Sequence, residues 1–270
     1  VTAEGPFTPQ FTMDAMEVLT SAAMQSDIMR PIRDWFALLN YGHRITGLGS
    51  SDTHDVNRYL LGQGRTYVFC EEADASTIDV AAVCDSILAG RALISFGLLT
   101  EMTVNERFRV GDLVSVKDGK VQVRVTVSGP SWVTADKLEI FANGLCVGCA
   151  SIAATEEILK REVEFELGPF PHDVFLVAVA TGPGLTAPFW DTPRPYQPDS
   201  PTFTPRFLGA TNPIRVDGDG DGDFTPAREY ARRLVRMADG DKDALRTSLV
   251  SYDGAVAAQA AALMKAIAGP

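Results

Sequence analysis

The stretch Ile45-Thr46-Gly47-Leu48-Gly49-Ser50-Ser51-Asp52-Thr53-His54-Asp55-Val56 decides how the first third of this chain is read. A short apolar run, Ile45 to Gly49, ends in a glycine and two serines, and an Asp-x-His follows at once. Residues two apart on an extended backbone point to the same side. Asp52 and His54 can therefore reach one ion from a single strand end, and a carboxylate beside an imidazole suits zinc, manganese or iron. Ser51-Asp52-Thr53-His54 is equally good turn and helix N-cap chemistry, so the surroundings must decide. Upstream, Pro31 to Tyr41 reads as an amphipathic helix with Ile32, Trp35, Phe36 and Leu39 on one stripe and Gly42 as its C-terminal cap. Phe11 to Val18 reads as a strand ending near Glu17, a carboxylate placed to line a site or orient a histidine. Glu17 serves equally as a strand end that meets solvent. Helix, tight turn, short strand and polar residues at the strand's end make the rhythm of a βα barrel.

Downstream, 57–64 is expected to loop over the barrel mouth, and Arg65 begins the strand-like run Thr66-Tyr67-Val68-Phe69. An arginine at a rim can grip an oxyanion through its planar fork; surface arginines that begin strands are also common. Ser76 is expected to cap a helix of about three turns with Val80, Val83, Ile87 and Leu88 inside. Ala92 to Phe96 then gives a buried strand that ends the barrel portion, 1–97. From Leu98 onward helical periodicity gives way to strand-like runs. Val121 to Val127 alternates strictly, with valine on one face and Gln122, Arg124 and Thr126 on the other. Several such strands bounded by turns indicate a β-sandwich over 98–213, closing in a proline-rich wrap, with a bracing or lid role.

Asp217-Gly218-Asp219-Gly220-Asp221-Gly222-Asp223 reproduces the first half of a calcium loop, with glycine at the sixth place. Asp217, Asp219, Asp221 and Asp223 are the candidate calcium ligands. The twelfth position is Arg228 and no helix precedes the loop, so a flexible acidic turn is the competing reading. The segment 214–270 continues as helices, the first with a basic face (Arg228, Arg232, Arg233, Arg236) read as solvated, the last alanine-rich and suited either to packing on the body or to a homo-oligomer contact. Cys146 and Cys149 follow the hairpin signal Asn143-Gly144 and are read as structural thiols facing opposite ways on a strand.

The net charge of −11 over 270 residues argues against nucleic acid, which selects a basic face. No apolar run approaches the roughly 20 residues of a membrane span. Export to the periplasm or beyond stays open.

Several stretches, in order, resemble the PHP (polymerase and histidinol phosphatase) superfamily of metallohydrolases, most closely its carbaryl-hydrolase-like branch. They are Met13-Asp14-Ala15-Met16-Glu17-Val18, Asp34 to Gly42, Gly49 to His54, Gly64-Arg65-Thr66-Tyr67-Val68, Ala89-Gly90-Arg91, Asn143-Gly144 and Thr211-Asn212-Pro213-Ile214-Arg215-Val216-Asp217. The resemblance implies the C-terminal portion of a (βα)7 barrel followed by the sandwich and tail. It assigns Asp52 and His54 to a divalent transition metal; beside them Glu17 is the candidate accessory carboxylate and Arg65 the candidate substrate contact. It also implies hydrolysis of a small phosphoester, ester, carbamate or amide. Family members open the barrel with His-x-His, whereas this chain holds His43, His54 and His172 and no such pair. The metal site is therefore expected to need an N-terminal barrel segment from the same or a separate chain. The alternative is a non-enzymatic exported sandwich module with a structural calcium loop.

Overall fold

The run Val174-Phe175-Leu176-Val177-Ala178-Val179-Ala180 is buried without interruption, as only a strand covered on both faces tolerates. It begins β11 (Val174–Pro183), the axis of the larger sheet in a computed structural model that describes residues 13–20, 27–53, 61–71, 74–116, 119–185 and 205–268. On one edge β11 pairs antiparallel with β8 (Lys137–Ala142), which turns back into β9 (Leu145–Ser151) through Asn143-Gly144, both at positive φ. On the other edge it pairs with β12 (Arg206–Thr211) and then with β13 (Ile214–Asp217). The sheet continues from β12 through β4 (Ala92–Phe96) to β3 (Arg65–Val68), all antiparallel, and from β13 to a parallel partner, β6 (Leu113–Ser115).

A second antiparallel sheet orders β10 (Leu159–Leu167), β7 (Val121–Ser128) and β5 (Leu99–Val104). The period-two pattern of β7 plays out as read: Val121, Val123, Val125 and Val127 are buried, in one core with Leu138, Ile140, Val177 and Leu208 of the larger sheet. Two sheets closing on a shared apolar layer give sandwich-like packing. The ends of the proline-rich stretch are themselves strand, with Gly182 and Pro183 paired to Phe207 and Arg206.

The expected (βα)7 barrel is absent. β1 (Ala15–Leu19) and β2 (Thr46–Gly49) are a parallel pair joined by α1 (Arg30–Tyr41), a single βαβ unit, but among the described residues no third parallel strand extends it. A barrel needs parallel strands closing into a ring. Here β3 and β4 run antiparallel to each other and enter the large sheet through β12, and none of the sheets closes. The helix between them, α2 (Val80–Leu88), is capped by Asp79, whose carboxylate accepts the N–H groups of Ala81 and Ala82, rather than by Ser76. Its apolar stripe is not an inner face: Val80 is 71% and Leu88 57% exposed.

α1 matches its sequence signals, with Pro31 in the first turn and Gly42 in the left-handed C-cap. Trp35 Nε1 donates to the Ile45 carbonyl at 2.9 Å, and Phe36 packs at a tilt against Phe141 and Phe175 of the large sheet. The tail helices α3 (Ala227–Ala238), α4 (Lys242–Leu249) and α5 (Gly254–Ala268) enclose a second core around Tyr230, Leu234 and Val256. Arg228 is buried in this packing, unlike the exposed Arg232, Arg233 and Arg236, which ring Glu229. Among the described residues no helix is long and apolar enough to cross a membrane.

What fastens the βαβ unit to the large sheet is the side chain of Asn212, fully buried between β12 and β13. Its Nδ2 donates to the carbonyls of Gly47 and Ala92, each at 2.9 Å, and its Oδ1 accepts the Gly47 N–H at 2.8 Å. Gly47 itself has no room for a Cβ, which would meet Ile94 and Trp35 at 3.0 Å. Replacing Asn212 by Ala strands three buried backbone groups at about 1–3 kcal/mol each before relaxation. Urea denaturation of Asn212→Ala is expected to show a loss of at least about 3 kcal/mol. Asn212→Asp, which turns a donor toward two carbonyls into an acceptor, is expected to do no better.

Candidate functional site

At the carboxyl end of β2 the structure gathers part of the predicted set. Glu17 sits opposite Leu48 in the parallel register, and its Oε1 accepts the Ser50 hydroxyl at 2.7 Å. Asp52 follows in a left-handed conformation, φ +53°, which Asp tolerates better than most residues. Ser51 and Thr53 bond to each other through their hydroxyls. β3 abuts the same end: Thr66 Oγ1 donates to the Gly49 carbonyl and accepts the Gly49 N–H. A Cβ on Gly49 would lie 2.7 Å from the Arg65 carbonyl oxygen, so glycine is what lets the two backbones meet. The Arg65 side chain is directed along its own strand, with Nη1 at 3.5 Å from the Tyr67 hydroxyl. His54 lies outside the described residues. Among the described residues Asp52 and Glu17 are not part of any group of three metal-type side chains, so the transition-metal centre is not assembled by them.

The acidic loop does converge, though on a different set from the four aspartates in series. One carboxylate oxygen each from Asp173, Asp217 and Asp219 lies within 4.8 Å of the other two. Asp173 and Asp217 have no solvent exposure. Asp221 and Asp223 instead face solvent and accept N–H groups of their own loop, from Asp223 and Phe224. Asp173 was not anticipated, yet the antiparallel register of β11 and β13 brings it in: Val174 pairs with Val216, which sets Asp173 opposite Asp217.

The donors around these carboxylates explain their acidities. Burial pushes Asp217 up, but the Ser115 hydroxyl and the N–H groups of Gly222, Gly220 and Asp221 outweigh it and hold the group below the ordinary carboxylate value. Asp173 goes the other way. Burial, with the Asp219 charge beside it, raises its pKa despite N–H groups donated by Thr225 and Gly218. Tyr230, whose hydroxyl donates to Asp219 at 2.7 Å, is pushed up by burial and by that bond. An all-oxygen, all-anionic donor set fits a hard cation such as calcium. The four donors on Asp217 already use its lone-pair capacity, so such an ion requires the loop to yield some of those bonds.

The cysteine pair differs from its sequence reading. A bulge in β9 pairs Cys146 with Phe141 and Cys149 with Glu139, so both thiols lie on one exposed face of the sheet. Burial and the Glu139 charge raise the Cys146 thiol, which disfavours its thiolate form.

Fold and sites together define a two-sheet β protein with one βαβ unit, a helical tail and a buried three-carboxylate cluster. No protein-family model, no curated protein and no solved structure matches the chain.

The opposed shifts give a signed pH dependence in chelated protein. The folded state holds a proton on Asp173 at pH values where the unfolded chain, near 3.9, does not. Stability is therefore expected to rise as pH falls through the raised pKa, because the native state binds more protons there. Below about 3.9 the sign reverses, as Asp217 must be protonated against its donors. Thermal melts against pH check this, and Asp173→Asn is expected to lose the first slope.

Proposed function

We propose that this chain contributes to a divalent-metal-dependent hydrolase acting on a small phosphoester, ester, carbamate or amide. The observation carrying this is the placement of Glu17, Ser50 and Asp52 at the adjoining carboxyl ends of two parallel strands linked by a helix. Catalytic groups in α/β units collect at that end. In this reading Asp52 is a ligand beside His54, and Ser50 orients Glu17 toward the same rim. Arg65 sits one strand away, where a modest turn of its side chain would meet an oxyanion. The described residues lack a third ligand, so the reading depends on donors beyond them.

A second role is favoured by a separate observation, the convergence of Asp173 with Asp217 and Asp219. We propose that a calcium ion there braces the junction of sheet and tail. This role stands with or without the hydrolase and is the whole function under the alternative of a non-enzymatic module.

Metal analysis of the purified chain separates the two. Bound zinc, manganese or iron that falls at least twofold in Asp52→Asn, with hydrolysis of nitrophenyl esters or phosphoesters falling more than tenfold, is the expected result. Neither metal nor turnover after supplying all three ions overturns the hydrolase reading. Calcium at a hundredfold excess over its dissociation constant is expected to add about 2.7 kcal/mol. That corresponds to a midpoint rise of roughly 5 °C, abolished in Asp173→Asn and retained in Asp52→Asn.

A further inference from the structure

Near the opposite end of β2 a pocket of about 40 Å³ opens between α1, β13 and the start of α3. His43, Arg44 and Arg215 line it together with Phe175, Phe224 and Pro226. Arg215 is largely buried, yet its guanidinium forms no ion pair or hydrogen bond, and its one polarised contact is the Phe224 ring at 5.7 Å. The charged group that bears on it is another cation, Arg44. Beside the pocket's His43, the Tyr41 ring carries Arg228 at 3.9 Å, whose Nη1 donates to Gln259 Oε1. Among the described residues the Arg228 Nε is buried without a partner and its side chain forms no ion pair. Burying a guanidinium without a counter-charge is costly. In a chain with eleven excess negative charges carboxylates are plentiful, yet among the described residues none pairs with Arg215.

We propose that the pocket lined by Arg215 and Arg44 binds a carboxylate anion, held by the guanidinium forks and enclosed by Phe175, Phe224 and Pro226. About 10–15 Å³ by the same measure holds one water, so the space fits a group of roughly three heavy atoms. A carboxylate has that size, and its two oxygens match the planar fork. The apolar walls add little for a fully hydrated halide but suit a carboxylate with its carbon inward.

The test is thermal unfolding of the full chain at fixed calcium and fixed ionic strength, with acetate replacing chloride. The expected result is a saturable midpoint rise of roughly 2–5 °C, lost in Arg215→Met, which keeps the apolar stem without the charge. Should Arg215→Met not fold, Arg44→Gln serves, with at least a threefold weaker acetate midpoint expected. N-acetylleucine distinguishes the source. A rise with it as well as with acetate identifies the tip of a larger carboxylate, and a rise with acetate alone identifies a free small anion. No rise in the unmodified chain, or equal rises in the chain and its arginine variants, overturns the proposal. Neither transition-metal content nor hydrolysis enters this measurement, so its failure leaves the hydrolase reading where it stood.

Discussion

One amide side chain decides where the βαβ unit sits on the larger sheet. Asn212 satisfies both backbone groups of Gly47 and the carbonyl of Ala92, so it holds β2 against β4 without the two pairing as neighbours in a ladder. The βαβ unit is thereby carried on the flank of an antiparallel sheet instead of inside a ring of parallel strands. Every group at the carboxyl end of β2, from Ser50 to Asp52, inherits its position from that clip and from the Thr66 bonds to Gly49. Because Asn212 joins β12 to β13, the same few residues also set the register that places Asp217 opposite Asp173. Two candidate sites on different faces thus share one structural origin.

The local elements were legible because their signals are local. Pro31 and Gly42 bracket α1, Asn143-Gly144 turns the β8–β9 hairpin, and the valine alternation of β7 predicts its buried face residue by residue. The barrel was misread for a physical reason: a strand–helix–strand rhythm looks the same in a closed ring as in an isolated βαβ unit. The difference lies in the direction of β3 and β4, which is set by pairing with β12, more than a hundred residues away. Asp79 outcompeted Ser76 as the cap of α2 because its carboxylate reaches two N–H groups. The bulge that turns Cys146 and Cys149 to one face left no mark in composition.

The candidate sites were legible to the same extent. The strand end that carries Glu17 and Asp52 was visible because polar residues closing an apolar run stand out in sequence, and the acidic loop because alternating aspartates are conspicuous. Asp173 and Arg215 were missed because each looks ordinary in its own stretch. Their meaning comes from what stands opposite: a second buried carboxylate for Asp173, a second cation for Arg215. The two lie on paired strands of the larger sheet, Arg215 within β13 and Asp173 just ahead of its partner β11. A chain that tolerates both must gain something from the electrostatic cost, since apolar residues in those places would pack without it.

The acidic cluster also reaches further than its own loop. The Tyr230 hydroxyl donates to Asp219 and accepts the Asp173 N–H, tying the cluster to α3. His172, buried between Tyr230 and Tyr252, accepts the Asp253 N–H at Nε2, which leaves its proton on Nδ1 facing the Asp173 carbonyl. Asp253 in turn caps α5 through the Val256 N–H and takes a bond from Asn143 at the tip of the β8–β9 hairpin. Loop, hairpin tip and both long tail helices are therefore one hydrogen-bonded unit in which each member fixes the next. Whatever neutralises the three carboxylates acts on the seating of the whole tail, because Tyr230 cannot follow Asp219 without moving α3. A brace so connected is built for holding a shape, and the slower exchange of tail amides on cation binding would be its signature.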